Sequence, residues 1–126
     1  MEAPKPPAHF EIHQEFAVFK LKGVFSFRSA VELVKDAVRY SREQKIQKLL
    51  VDTLDVYGFP YPTVVERFWM GDEIAAEAMG AVVIALVARP EMIDPQKFGI
   101  VVAQNRGLVV DVFSTRDEAE KWLLKV

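Results

Sequence analysis

The stretch AVVIALVA, residues 81–88, decides the fold. Every position is apolar, and Val82, Val83, Ile84 and Val87 are β-branched. The longest uninterrupted apolar run, residues 78–88, is too short to cross a bilayer as a helix. It is also too evenly apolar for a strand with one wet face. A run of this kind fits a central strand of a parallel sheet, covered by helices on both faces.

Two further buried strands flank it, IQKLLVDT upstream (residues 46–53) and LVVDVFS downstream (residues 108–114). Helical spacing fills the gaps. A helix from 64 to about 79 precedes the central strand, with Gly80 as its stop. After it comes DPQKFGIVVAQNRG, where Asp94 followed by Pro95 predicts an N-cap and first helical residue. There Phe98, Val101, Val102 and Asn105 are expected to share the inward face, with Gly107 ending the helix in a left-handed conformation. Thr115 and Glu118 have capping-box spacing and open a last helix with Ala119, Trp122, Leu123 and Val126 on its apolar face. Nearer the start, Phe27, Val31, Val34 and Val38 mark a first helix, capped by Ser26 or by Ser29 with Glu32. Before it, Phe10 and Ile12, then Ala17, Phe19 and Leu21, alternate with polar or outward residues as in a hairpin turning near Gln14 and Glu15. The order β-β-α-β-α-β-α-β-α predicts one α/β domain: a five-stranded, mostly parallel mixed sheet with an N-terminal antiparallel edge hairpin and four helices.

Composition narrows the functions. A chain of 126 residues at 51% hydrophobic content supports one ordinary core. It holds no cysteine, which removes disulfides, zinc–thiolate sites and cysteine nucleophiles. A net charge of −2 without a basic stripe argues against nucleic acid as a partner. The first residues, MEAPKPPA, carry three prolines and no apolar core, so residues 1–8 read as a flexible lead and the chain as cytoplasmic, without membrane insertion.

Three segments together carry a family resemblance: LKGVFSFRSAVELV (21–34), KLLVDTLDV (48–56) and ALVARPEMIDPQKFGIVVAQNRGLVVDVFSTRDEAEKWL (85–123). Residues 9–126 resemble the STAS-type domain of sulfate transporters and anti-sigma-factor antagonists, most closely the small bacterial STAS/SEC14-like proteins of unassigned function. The resemblance implies a non-enzymatic module that works by binding, without a cofactor. In antagonists of this type a serine or threonine near the start of the second helix is phosphorylated, within an Asp-Ser-Ser/Thr-Gly type motif. Here the region reads GFPYPTVV, and Thr63 is the hydroxyl near the helix start, without that motif.

The same region, VDTLDVYGFPYPTVVERF (51–68), holds the other candidates. Asp52 and Asp55 sit near a strand's C-terminal end, where α/β sheets bind ligands. They lack an identifiable acid, base or metal-ligand partner, and turn chemistry explains them more simply. Thr63 with Glu66 fits a capping box. Tyr57, Phe59, Tyr61 and Trp69 crowd into thirteen residues, either as an aromatic mouth for an apolar ligand or partner or as loop packing. Phe68 is expected in the core. His9, Glu11 and His13 share a strand face but stand about 7 Å apart per pair, long for one metal. Arg106 is read as a helix-end cation beside Gly107, with an anion site there as the alternative.

Two functions follow as expectations. One is binding of a protein partner or a second copy, using the aromatic loop, the acids Glu66, Asp72, Glu73 and Glu77, and the small surface Ala75, Ala76 and Ala78. The other is binding of an apolar small molecule or lipid through the aromatic loop, residues 57–69. An enzyme built on Asp52 or Asp55 is a third, for which no constellation is found.

Overall fold

The computed structural model describes residues 5–126. The Pro-rich lead expected over residues 1–8 therefore falls partly outside the described residues. In order come β1 (Phe10–Ile12), β2 (Ala17–Val24), α1 (Phe27–Glu43), β3 (Lys48–Tyr57), α2 (Val64–Ala78) and β4 (Val83–Val87). A single-turn 3-10 helix (Pro90–Met92), α3 (Phe98–Asn105), β5 (Val110–Phe113) and α4 (Arg116–Lys125) complete the chain. The expected class holds: one α/β domain with a five-stranded mixed sheet, β1 antiparallel to β2 and the other pairs parallel.

The strands lie in sequence order, β1-β2-β3-β4-β5. Right-handed crossovers in one direction put successive helices on the same face. The core divides accordingly. One cluster joins Phe19, Leu49, Val51 and Ile84 of the sheet to Val34 and Val38 of α1, Ala75 and Ala78 of α2, and Ile100 and Ala103 of α3. The other joins Val18, Leu50, Ala85 and Val87 to Ala119 and Leu123 of α4 alone. Because the order never reverses, this sheet lacks the crevice between diverging helices where doubly wound sheets hold ligands.

Local chemistry explains most element ends. Ser26, not Ser29, caps α1, its hydroxyl accepting the Ser29 N–H at 3.1 Å. Gly107 ends α3 at φ 89°, as the sequence predicts, while α2 already turns left-handed at Met79, one residue before Gly80. Asp94 caps a turn, not the helix: its carboxylate accepts the N–H groups of Gln96 and Phe98. Lys97 then adopts φ 53°, and α3 starts only at Phe98.

The helix is also rotated against expectation. Gly99, Ile100, Val102 and Ala103 face inward, while Phe98, Val101 and Asn105 are exposed. The cause is the crossing with α2. A Cβ on Gly71 would stand 2.3 Å from the Gly99 carbonyl oxygen, and one on Gly99 would stand 2.9 Å from that of Arg67. Two glycines let the backbones touch, and this contact fixes which face of each helix is buried. Phe68 is consequently 44% exposed and not in the core, with Arg106 5.2 Å above its ring.

Candidate functional site

The opening half of the 51–68 region is strand, not loop. β3 continues to Tyr57 with a bulge: Lys20 pairs with Asp52 and Lys22 with Asp55, so Thr53 and Leu54 together oppose Leu21. Asp52 is buried at 2% exposure, and its Oδ1 accepts the Leu54 N–H at 3.0 Å. That carboxylate satisfies a backbone group displaced by the bulge. Asp55 points out and pairs with Lys20 at 3.2 Å, both about half exposed. The two acids are placed for structure and a surface ion pair.

The loop proper spans residues 58–63. It begins at Gly58, φ 113°, where a Cβ would meet the Phe25 carbonyl oxygen at 2.5 Å. It ends at Thr63, whose hydroxyl accepts the Glu66 N–H at 3.1 Å while the Glu66 carboxylate accepts the Thr63 N–H at 2.9 Å. The capping box read from the sequence is complete.

Three of the four candidate aromatics carry an arginine on their face. Arg89 lies 4.2 Å from the Tyr57 ring centre, Arg67 4.8 Å from that of Tyr61, and Arg28 4.5 Å from that of Trp69. Each contact is worth about 0.5–1 kcal/mol at an exposed site. Phe59 behaves differently. It turns inward, edge-on to Phe27 at 5.4 Å, and lines a cavity.

That cavity, of about 140 Å³, lies between the sheet and the three-helix layer, near the C-terminal ends of the strands. Its wall is apolar: Leu21, Val34, Phe59, Ile74, Leu86 and Ile100 represent the strands, loop and helices that contribute. Thr53 also faces it, but its hydroxyl donates to the Val87 carbonyl at 2.7 Å. Charge stands among the lining residues as Arg67, Arg89, Lys97 and Asp94. The Asp94 carboxyl is held below the ordinary aspartate range by the N–H groups of Phe98 and Gln96, assisted by Arg67 and the Tyr61 hydroxyl. Tyr57, Tyr61 and Trp69 do not line the cavity; they hold its arginines or flank its entrance loop.

The other sequence candidates are engaged elsewhere. His13 Nε2 is 3.3 Å from Glu11 Oε2, while His9 leaves the strand at φ 60°. Among the described residues no group of three or more His, Cys, Asp or Glu side chains is arranged to hold a metal ion. Arg106 pairs with Asp72. Glu73 pairs with Lys35 at 3.2 Å, Glu77 with Arg39 at 2.7 Å and Arg42 at 3.3 Å, and Glu66 closes its own cap. The acidic face of α2 is thus largely neutralised within the domain. Ala75 and Ala78 are buried inside it, and Ala76 alone of that trio is exposed. No helix among the described residues is long and apolar enough to cross a membrane.

A comparison with family models, with curated proteins and with solved structures finds no match to this chain. The coarse content of the sequence resemblance, an α/β fold with a five-stranded mixed sheet, is present in the structure. The site the sequence did not reveal is the cavity, since its wall is assembled from strands, helices and loops spread from Leu21 to Val112. The signals within reach were Arg89, directly after the apolar run, and Arg67 beside the apolar face of α2.

Proposed function

We propose that this chain is a non-enzymatic, STAS/SEC14-like binding module whose ligand is a small apolar molecule held in the cavity beneath loop 58–63. One observation carries the reading: an apolar cavity of about 140 Å³ stands between the sheet and the three-helix layer. Interiors normally close such spaces, and an apolar cavity of about 150 Å³ is known to admit benzene. The engaged states of Asp52 and Asp55 support a role without acid–base chemistry. The test is an NMR titration with two neutral probes, benzene and 1-hexanol. Saturable shifts at Phe59, Ile74 and Ile100 are expected, with their loss in Ala88→Leu, which fills the cavity from β4's end. Unchanged spectra at millimolar probe would remove the reading.

Self-association is a second reading, favoured by one feature. Val64, Val65 and Phe68 of α2 and Phe98 and Val101 of α3 are exposed on neighbouring helices. Light scattering that gives one copy at all concentrations, unaltered by Val65→Glu, would dispose of it.

A further inference from the structure

Among the charged groups lining the cavity, two are satisfied and two are not. Lys97 Nζ donates to Asp111 at 2.9 Å. Asp94 accepts from Gln96 and Phe98 N–H groups at 3.1 and 2.8 Å. Arg67 and Arg89 are each anchored by one terminal nitrogen on a backbone carbonyl, Arg67 on Pro62 and Arg89 on Val56. Each also lies over a tyrosine ring. Yet in both, Nε is buried with no hydrogen-bond partner among the described residues. The carboxylate facing Arg67 Nε is Asp94 Oδ2 at 3.7 Å, beyond hydrogen-bond reach. Arg89 has only a loose contact, 3.6 Å to the largely exposed Glu91.

A buried donor left without an acceptor costs about 1–3 kcal/mol, and more for a charged group. Arg116 Nε, on α4, shares the condition, but α4 packs on the other face of the sheet and Arg116 does not line the cavity. What distinguishes Arg67 and Arg89 is that both stand at one apolar cavity, each is held by a single side-chain hydrogen bond, and each keeps a donor without an acceptor.

We propose that the cavity's ligand is an amphipathic monocarboxylic acid, its apolar body in the cavity and its carboxylate accepting from the terminal nitrogens that Arg67 and Arg89 do not use on Pro62 and Val56. This rests on the cavity being a binding site. A planar carboxylate suits the edge of a guanidinium, and the bond is charge-assisted. One negative charge also suits the balance. Asp94 stands near Arg67 and Asp111 holds Lys97, whereas Arg89 faces only the largely exposed Glu91 at 3.6 Å, so its charge is the least compensated at the rim. A phosphate dianion would bring more charge than the rim offsets at a partly buried position. The volume accommodates a body of about the size of benzene, which suits an aromatic or short-chain acid.

The experiment is calorimetric or NMR titration of the whole chain with four probes: hexanoate, benzoate, 1-hexanol and benzyl alcohol. Each acid is expected to bind at least about tenfold tighter than its matched alcohol, the scale of one charge-assisted hydrogen bond. Arg89→Gln is expected to remove that advantage while leaving the alcohols unchanged, and Arg67→Gln does the same should the first variant fail to fold. The ratio of hexanoate to benzoate assigns the body as chain or ring. Alcohols binding as well as the acids would overturn the carboxylate inference and leave the cavity reading standing. Binding by none of the four would overturn both.

Discussion

Gly71→Ala isolates the contact on which the helix layer is built. In a helix interior the replacement ordinarily stabilises by about 0.8–1 kcal/mol, because glycine has more backbone freedom to lose. Here the new methyl would sit 2.3 Å from the Gly99 carbonyl oxygen, with Val102 Cβ at 3.2 Å and the Ala103 nitrogen at 3.3 Å. The first obstacle is backbone and cannot rotate aside. Restoring an ordinary contact near 3.4 Å moves α3 away from α2 by about 1 Å. Overpacking of this kind costs about 1–3 kcal/mol, and a backbone displacement belongs near the top of that range. The net expectation is destabilisation by about 1–2 kcal/mol, or a Tm lowered by about 4–8 °C for a chain of this length. Thermal unfolding followed by circular dichroism reads it, with urea titration as the check on a shared slope. Ala76→Gly, on the exposed face of the same helix, measures the propensity term alone and should cost about 1 kcal/mol. A Gly71→Ala protein more stable than the original would refute the packing argument outright.

Thr63→Ala removes one half of the capping box and should cost about 1 kcal/mol, read from the urea midpoint; an unchanged midpoint would mean that the box does not hold in solution. Asp52→Ala strands the Leu54 N–H and should cost about 1–3 kcal/mol, whereas Asp52→Asn keeps an acceptor and should cost much less; equal losses would count against the bulge-capping role. The depressed pKa of Asp94 links stability to pH. In the unfolded chain this group takes up its proton near pH 3.9, so its contribution is present above that value and is lost as pH falls through the lower folded value. Urea unfolding between pH 5 and 2 should therefore show a steeper acid loss in the native sequence than in Asp94→Asn, and identical slopes would contradict the assignment.

The order of elements was readable because the apolar period changes cleanly along the chain, and the run at residues 81–88 admits few placements other than a central strand. Errors arose where a polar residue served a local backbone group. Asp52 and Asp55 looked like the start of a loop, but Asp52 is buried in the strand it appeared to end. Asp94 looked like a helix cap, but it closes a preceding turn, which delays α3 to Phe98. Phe68 and Phe98 looked like core because helical spacing identifies a face without fixing its rotation. That rotation is set by two glycines distant in sequence, Gly71 and Gly99, whose meeting leaves no periodic trace. The cavity was hidden for a similar reason. In sequence Phe59 belongs with Tyr57 and Tyr61, while the residues it meets in space, Phe27 among them, lie on other elements.

The strand order has a consequence for how the domain is made. With β1 to β5 side by side in sequence order, every strand pairs with the one synthesised just before it. As the chain leaves the ribosome, β2 can receive β3, then β4, then β5, each arriving with the helix that covers the seam. No strand waits for a partner beyond its neighbour in sequence, so each parallel closure spans one helical crossover (residues 25–47, 58–82 and 88–109) and none spans more. The sheet can grow outward from one edge, and α4 arrives last to cover its open face.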